Sequence, residues 1–314
     1  MRRPLHRQHL ADTSPRVGEE KLQIIKNKQE IAPANPLPPS RGGTSAELTR
    51  RGYGVDYMKR LVVKVGSNVL TTAKGKLDIT RLSALVDQIA WMREHDYEVI
   101  LVSSGAVACG RQEMKVDHQL DSVEQRQLFS AMGQAKLMNL YYDLFREYHL
   151  HIGQILTMKS NFETEEHYRN QQACMELMLD NGVIPIVNEN DTVCLTELMF
   201  TDNDELSGLI AQMMNAETLV LLSNINGIYT GNPSDPGTEV IRTVKPEDNL
   251  DQYIQTSKSS AGRGGMESKY HTARTVANSG IRVMIANGEK DNILIDLLTH
   301  PEDTLHTEFL PLKR

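Results

Sequence analysis

The residues of this chain that could do chemistry gather in five short stretches, and two of them set a lysine beside a glycine turn. In "KVGSN" (residues 64–68) Lys64 stands on the last residues of an apolar run, and Gly66 lets the backbone bend so that its N–H groups, with Ser67 beside them, face an anion. "AGRGGMESK" (261–269) runs Gly264, Gly265 and Met266 into a helical pattern with Lys269 one turn in, again a geometry suited to phosphate. Neither is a Walker A loop or a dinucleotide fingerprint, and a plain turn after a strand accounts for the first equally well. A lysine inside an otherwise apolar strand costs desolvation energy unless it meets a negative partner, so Lys64 calls for one. Two such devices in one chain favour a reaction at phosphate, where catalysis is mainly positioning plus cationic neutralisation.

The other three stretches are polar without being basic. "SSGAVACG" (103–110) follows the apolar run "EVILV", and Ser104, Gly105 and Ala106 stand at the expected start of a helix, where free N–H groups and a partial positive charge receive a carboxylate or phosphate. A helix cap is the simpler reading: Ser104 caps, or Ser103 caps and leaves Ser104 to Ala106 for a ligand. "NENDTV" (188–193) and "TDNDELS" (201–207) bring Asn188, Glu189, Asn190, Asp191, Asp202, Asn203 and Asp204 close in sequence. They lack the alternating oxygen ligands and terminal Glu of an EF-hand, which argues against calcium. Such amides and carboxylates suit an α-ammonium group, or the orientation of lysines and a Mg-nucleotide; a solvated loop with Asx turns is the alternative.

The elements that must position these residues read clearly from residue 58 onward. "RLVVKV" (60–65), "EVILVS" (98–103), "IGQILTM" (152–158), "VIPIV" (183–187), "TLVLLS" (218–223) and "IRVMIA" (281–286) are apolar runs of strand length without clean alternation, as in strands covered on both faces. Between the first two, Ile79, Leu82, Leu85, Val86, Ile89 and Met92 recur at helical spacing behind Asp78, a good N-cap. Repetition of this unit predicts an α/β protein, a three-layer αβα sandwich around a mostly parallel sheet, with its site at the carboxyl ends of strands.

Residues 1–57 differ in kind. Ten Lys or Arg against six Asp or Glu give them +4, so the rest of the chain carries −11 of the total −7, and they hold six of the twelve prolines. This composition predicts a disordered extension, with Met58 a candidate start of the folded chain. The extension lacks the apolar core of a secretory signal, and the longest apolar runs fall far below the roughly 20 residues of a membrane span. Three scattered cysteines, Cys109, Cys174 and Cys194, suggest neither disulfides nor zinc, which fits a cytoplasmic protein with no membrane or nucleic-acid partner.

In order, "VVKVGSNVL", "LVSSGAVACG", "AMGQAKLM", "IPIVNENDTV", "TDNDELSGLIA", "LLSNINGIYTGNP" and "GRGGMESK" resemble the glutamate 5-kinases of the amino acid kinase family. The resemblance runs from about Lys59 to Gly288 and implies the amino acid kinase fold over residues 58–314, with about 58–200 as a glutamate-binding half and about 201–314 as a nucleotide-binding half. It implies ATP-dependent phosphorylation of the L-glutamate γ-carboxylate, with Mg2+ accompanying ATP, as the opening step of proline biosynthesis. Lys64 and Lys269 would contact the transferring phosphoryl group and Asp204 would hold both lysines. Gly66, Ser67, Ser223, Asn224, Gly264, Gly265 and Met266 would border the nucleotide, and Ser104, Gly105, Ala106, Asp191 and Asn203 the glutamate, Asp191 being suited to the α-ammonium.

The same resemblance implies feedback inhibition by proline near "KSNFETEEHYRNQQ" (159–172), a separate γ-glutamyl phosphate reductase as pathway partner, and a homo-oligomer, dimer or tetramer. Ser223 and Asn224 stand where many members read Thr-Asp, a departure that touches the nucleotide contacts. The 26 residues after Gly288 are too few for the PUA domain that many bacterial members carry, and "TLHTEFLP" (304–311) is expected to add a last strand. An acetylglutamate kinase or aspartokinase type, or a non-catalytic amino acid sensor, are the alternatives; the joined acceptor motifs argue against the former and the two lysines against the latter.

Overall fold

The computed structural model describes residues 58–193, 200, 202–254 and 265–313. The extension expected over residues 1–57, Cys194 and Gly264 lie outside them. The apolar runs form β1 (Lys59–Val65), β2 (Tyr97–Ser103), β3 (His151–Thr157), β4 (Val183–Glu189), β5 (Thr218–Ser223) and, after a two-residue β6 (Thr243–Val244), β7 (Arg282–Asn287). The expected last strand is β8 (His306–Phe309). In the sheet they stand in the order β3-β4-β2-β1-β5-β7-β8-β6, every neighbouring pair parallel except β7 and β8.

Helices follow the strands: α1 (Ser67–Leu70), α2 (Ile79–Glu94), α3 (Ala106–Glu113), α4 (Ser122–Arg146), α5 (Glu165–Asp180), α6 (Asn203–Met213), α7 (Asp251–Ile254), α8 (Met266–Asn278) and α9 (Ile293–Thr299). The Asp78 carboxylate caps α2, accepting from the Arg81 N–H at 3.0 Å. Two hydrophobic cores flank the sheet. Leu82, Leu85 and Ile89 of α2 and Leu137 and Phe145 of α4 fill one. Met175 of α5, Leu206 and Ile210 of α6, and Ala273 and Val276 of α8 fill the other. Each fully buried Leu, Ile, Val, Phe or Met side chain among them stabilises the fold by about 1.5–3 kcal/mol.

Strand β1 shows how this layering positions chemistry. Its Leu61, Val63 and Val65 enter the first core, whereas Val62 enters the second. Side chains alternate along a strand, so Lys64 emerges on the side of Val62, beneath α6 and α8.

One strand departs from expectation. The run "IGQILTM" reads as buried on both faces, yet in β3 only Thr157 is buried and Leu156 is 40% exposed. Strand β3 takes the edge of the sheet with β4 as its one neighbour, a place that follows from strand order and not from local hydrophobicity. At the opposite edge stands β6, too short to register as a hydrophobic run.

Candidate active site

Lys64, near the end of β1, Asp204, in the first turn of α6, and Lys269, one turn into α8, meet in one buried cluster. Lys64 Nζ lies 2.6 Å from Asp204 Oδ1, and Lys269 Nζ 2.9 Å from Asp204 Oδ2. Lys269 reaches it because it begins the inward face of α8 that continues through Ala273 and Val276 at helical spacing. Burial alone would raise the Asp204 carboxyl, but the two ammonium groups outweigh it and hold Asp204 below the usual carboxylate range. Burial lowers Lys64, Asp204 opposes that shift and the Lys269 charge adds to it. Two cations thus share the Asp204 carboxylate at the cleft floor, with the Asp202 charge also acting on Lys64.

Asp202 caps α6, its Oδ1 accepting from the N–H groups of Asp204 at 2.8 Å and Glu205 at 3.0 Å. Burial, and then the Asp204 charge, raise its carboxyl, and Oδ2 is buried without a hydrogen-bond partner.

The turn after β2 is built by a glycine and not by a serine cap. Gly105 takes φ 107° at the N-cap of α3, a left-handed conformation that strains any residue with a Cβ, and no side chain caps the helix. The expectation that Ser103 or Ser104 caps α3 is therefore corrected. The Ser103 hydroxyl donates to the Ser104 carbonyl at 2.9 Å and pairs with the Tyr141 hydroxyl at 2.8 Å. Ser104 Oγ instead accepts from Asn203 Nδ2 at 2.9 Å, and the same amide nitrogen donates to Asn188 Oδ1 at 3.1 Å.

A second ion cluster stands beside them. Arg126, in the first turns of α4, pairs with both Glu189 at the end of β4 and Asp191 just beyond it. Burial raises the Glu189 carboxyl; Arg126 and the Phe200 N–H, which donates to Glu189 Oε1 at 2.9 Å, offset this only in part.

Both clusters border one cleft of about 880 Å³. Lys64, Gly66, Ser67, Ser104, Gly105, Ala106, Asp191, Asn203, Ser223, Asn224, Gly265, Met266 and Lys269 all line it. Asp204 lies fully buried beneath its lysines. Gly264 is outside the described residues. Among the lining residues that were not sequence candidates are Arg126, Arg111, Gln125, Asn188 and Asp202. The last two belong to stretches already marked as polar. The first three stand on helices outside the stretches that the sequence singled out, and Asn232 and Pro233, also in the lining, sit in "TGNP" with no charge to draw attention.

Residues 59–287 match the amino acid kinase family. The chain belongs to that family. It is 62% identical over 252 residues to a glutamate 5-kinase of Bacteroides thetaiotaomicron, a match covering 80% of this chain and 70% of that protein. A glutamate 5-kinase of Chlorobaculum tepidum is 45% identical over 75% of this chain and 65% of its own length. Among solved structures, a carbamate kinase from Giardia lamblia bound to AMP-PNP superposes with a TM-score of 0.58 over 81% of this chain and 99% of its own, at 16% identity. That likeness establishes the amino acid kinase fold, and with it the expected three-layer α/β class. Among the described residues no helix is long and apolar enough to cross a membrane. No group of three His, Cys, Asp or Glu among them is arranged to hold a metal ion.

Proposed function

We propose that this amino acid kinase is a glutamate 5-kinase, which transfers the γ-phosphoryl group of ATP to the γ-carboxylate of L-glutamate in the first step of proline biosynthesis. The observation that carries the reading is the buried Lys64–Asp204–Lys269 cluster, opening on the same cleft as the small-residue turn of Ser104, Gly105 and Ala106. A γ-carboxylate oxygen attacks the γ-phosphorus, the new O–P bond forms as the bond to the β,γ-bridging oxygen breaks, and ADP leaves with that electron pair. The nucleophile belongs to the substrate and is already ionised at neutral pH, so no enzyme base is required. Lys64 and Lys269 neutralise charge on the moving phosphoryl group from two sides, and Asp204 keeps both in register.

Gly66, Ser67, Ser223, Asn224, Gly264, Gly265 and Met266 border the nucleotide in this reading. Ser104, Gly105, Ala106 and Asn203 receive the γ-carboxylate, and Asp191 the α-ammonium. The division at about residue 200 into a glutamate-binding and a nucleotide-binding half belongs to the same proposal. Mg2+ fits as a companion of the nucleotide: it binds through one or two protein carboxylates plus phosphates and water, and Asp202, which lines the cleft and whose Oδ2 accepts no hydrogen bond, would be the residue to hold it. When bound, it would neutralise charge on the β- and γ-phosphate oxygens.

Proline inhibition, a partner reductase that consumes the water-labile acyl phosphate, a homo-oligomeric state and a cytoplasmic location complete the reading. Support for the first is local. Lys159, at the head of the charged segment 159–172, lies 3.4 Å from Glu205, the neighbour of Asp204 on α6. Hydroxylamine traps an acyl phosphate, so the test is hydroxamate formation from ATP with glutamate, N-acetylglutamate and aspartate in parallel. Hydroxamate from glutamate is expected; its absence removes the proposal, and hydroxamate from N-acetylglutamate or aspartate alone moves the chain to another branch of the family. Loss of activity at millimolar proline tests the regulatory part separately.

A further inference from the structure

We propose that Gln134, which does not line the cleft, is a positioning residue that sets the direction in which Ser104 offers its hydroxyl proton. The inference rests on the reading of Ser104 as a contact of the phosphoryl-accepting carboxylate. Gln134 sits on α4 next to Gly133, where a Cβ would fall 1.8 Å from the Ala106 carbonyl oxygen, so the backbones of α4 and of the turn into α3 are in direct contact. Its side chain borders a smaller depression of about 230 Å³ that shares only Glu189 and Asp191 with the cleft.

From there a chain of amides runs to Ser104. Asn188 Nδ2 donates to Gln134 Oε1 at 3.0 Å, Asn203 Nδ2 donates to Asn188 Oδ1 at 3.1 Å, and Asn203 Nδ2 also donates to Ser104 Oγ at 2.9 Å. The two protons of that nitrogen are thereby committed, and Ser104, having accepted one hydrogen bond, retains its own proton for a ligand in the cleft.

Such a chain has two polarities. With Asn188 turned over, its Nδ2 would face Asn203, Asn203 would present Oδ1 to Ser104, and Ser104 would donate its proton inward and show lone pairs to the incoming carboxylate. With Gln134 presenting Oε1, as it does here, the first polarity is selected, because that acceptor holds the Asn188 nitrogen away from Asn203; a glutamate at this position, having no amide nitrogen to present, would hold the same polarity. Asn188 is 4% exposed, so solvent does not replace that partner.

The test is the hydroxamate assay on the full chain carrying Gln134→Met, Gln134→Ala and Gln134→Glu, alone and with Ser104→Ala. Removing the acceptor is expected to raise KM for glutamate about tenfold, the scale of a misdirected hydrogen bond to a charged group. The KM for ATP should stay put. Gln134→Glu keeps an acceptor at that position and should return KM for glutamate to within about threefold of the parent. In the Ser104→Ala background the Met and Ala changes should add less than about twofold, since effects that act through one group do not add. An unchanged KM in both acceptor-less variants, a Gln134→Glu enzyme as impaired as they are, or equal increments in the two backgrounds would each overturn the proposal. If the parent chain itself yields no hydroxamate from glutamate, the functional reading fails and this inference falls with it; an active parent with indifferent variants removes the inference alone.

Discussion

The two ion clusters of the cleft are built on inverse arithmetic. At Lys64, Asp204 and Lys269 two cations share one carboxylate; at Arg126, Glu189 and Asp191 two carboxylates share one cation. Formally the first ends with one positive charge in excess and the second with one negative. The burial of the shared ion also differs: Asp204 is fully buried, whereas the Arg126 side chain retains 25% of its exposure. In the proposed function a positive cluster suits the phosphoryl group and a negative one suits an ammonium, so the two clusters would orient the substrates along one cleft. The charge that must stay fixed is the one most deeply buried.

The sharpest way to break this contrast is to remove the buried ion. Asp204→Asn strands two ammonium groups, and a loss of about 3–5 kcal/mol is expected in a denaturant melt, the scale for breaking a buried pair from one side. Turnover should vanish with it. Lys269→Ala leaves Asp204 one partner and should reduce kcat on the order of a hundredfold, the cost of one charge contact made in the transition state, with KM for glutamate little changed. Near-normal kcat would detach the positive cluster from the chemistry.

Arg126→Met probes the other end and should act on binding. About a tenfold rise in KM for glutamate is expected, because Asp191 loses the charged hydrogen bond that holds it in place, with kcat affected far less than by Lys269→Ala. The Glu189 carboxyl, already raised by burial, would face Asp191 without its cation and rise further. It would then take up a proton at higher pH, so the acid limb of kcat/KM should move upward, and Arg126→Lys should move it back. A smaller effect concerns Lys64. Its lowered pKa means that it loses its charge as pH rises through a value below the ordinary lysine range, so kcat/KM should begin to fall there. Lys64→Arg should flatten that alkaline limb at reduced turnover; a limb unchanged in Lys64→Arg would assign it to another group.

Much of this was legible before any coordinates. The six longer apolar runs became strands, Asp78 capped its helix, and Lys64 advertised a partner because a lysine among valines requires one. Those signals are local: they depend on neighbours within a turn or two of chain. The misreadings have one source. The β3 run looked doubly buried because hydrophobicity carries no strand order, and the serines looked like caps because a residue type does not report φ at the glycine that follows.

What the sequence determined by itself was the inventory: alternating strands and helices, the lysines and glycines that suit phosphate, and the small-residue turn that suits a carboxylate. Only the tertiary structure decided the partnerships. Arg126 meets Glu189 across 63 residues and Asn203 meets Ser104 across 99. Such pairs form because β1, β2 and β4 end at the same side of one parallel sheet, while α4 and α6 deliver their side chains to that edge. Ion pairing and hydrogen bonding act over a few ångströms of space, and a parallel sheet separates distance in space from distance along the chain.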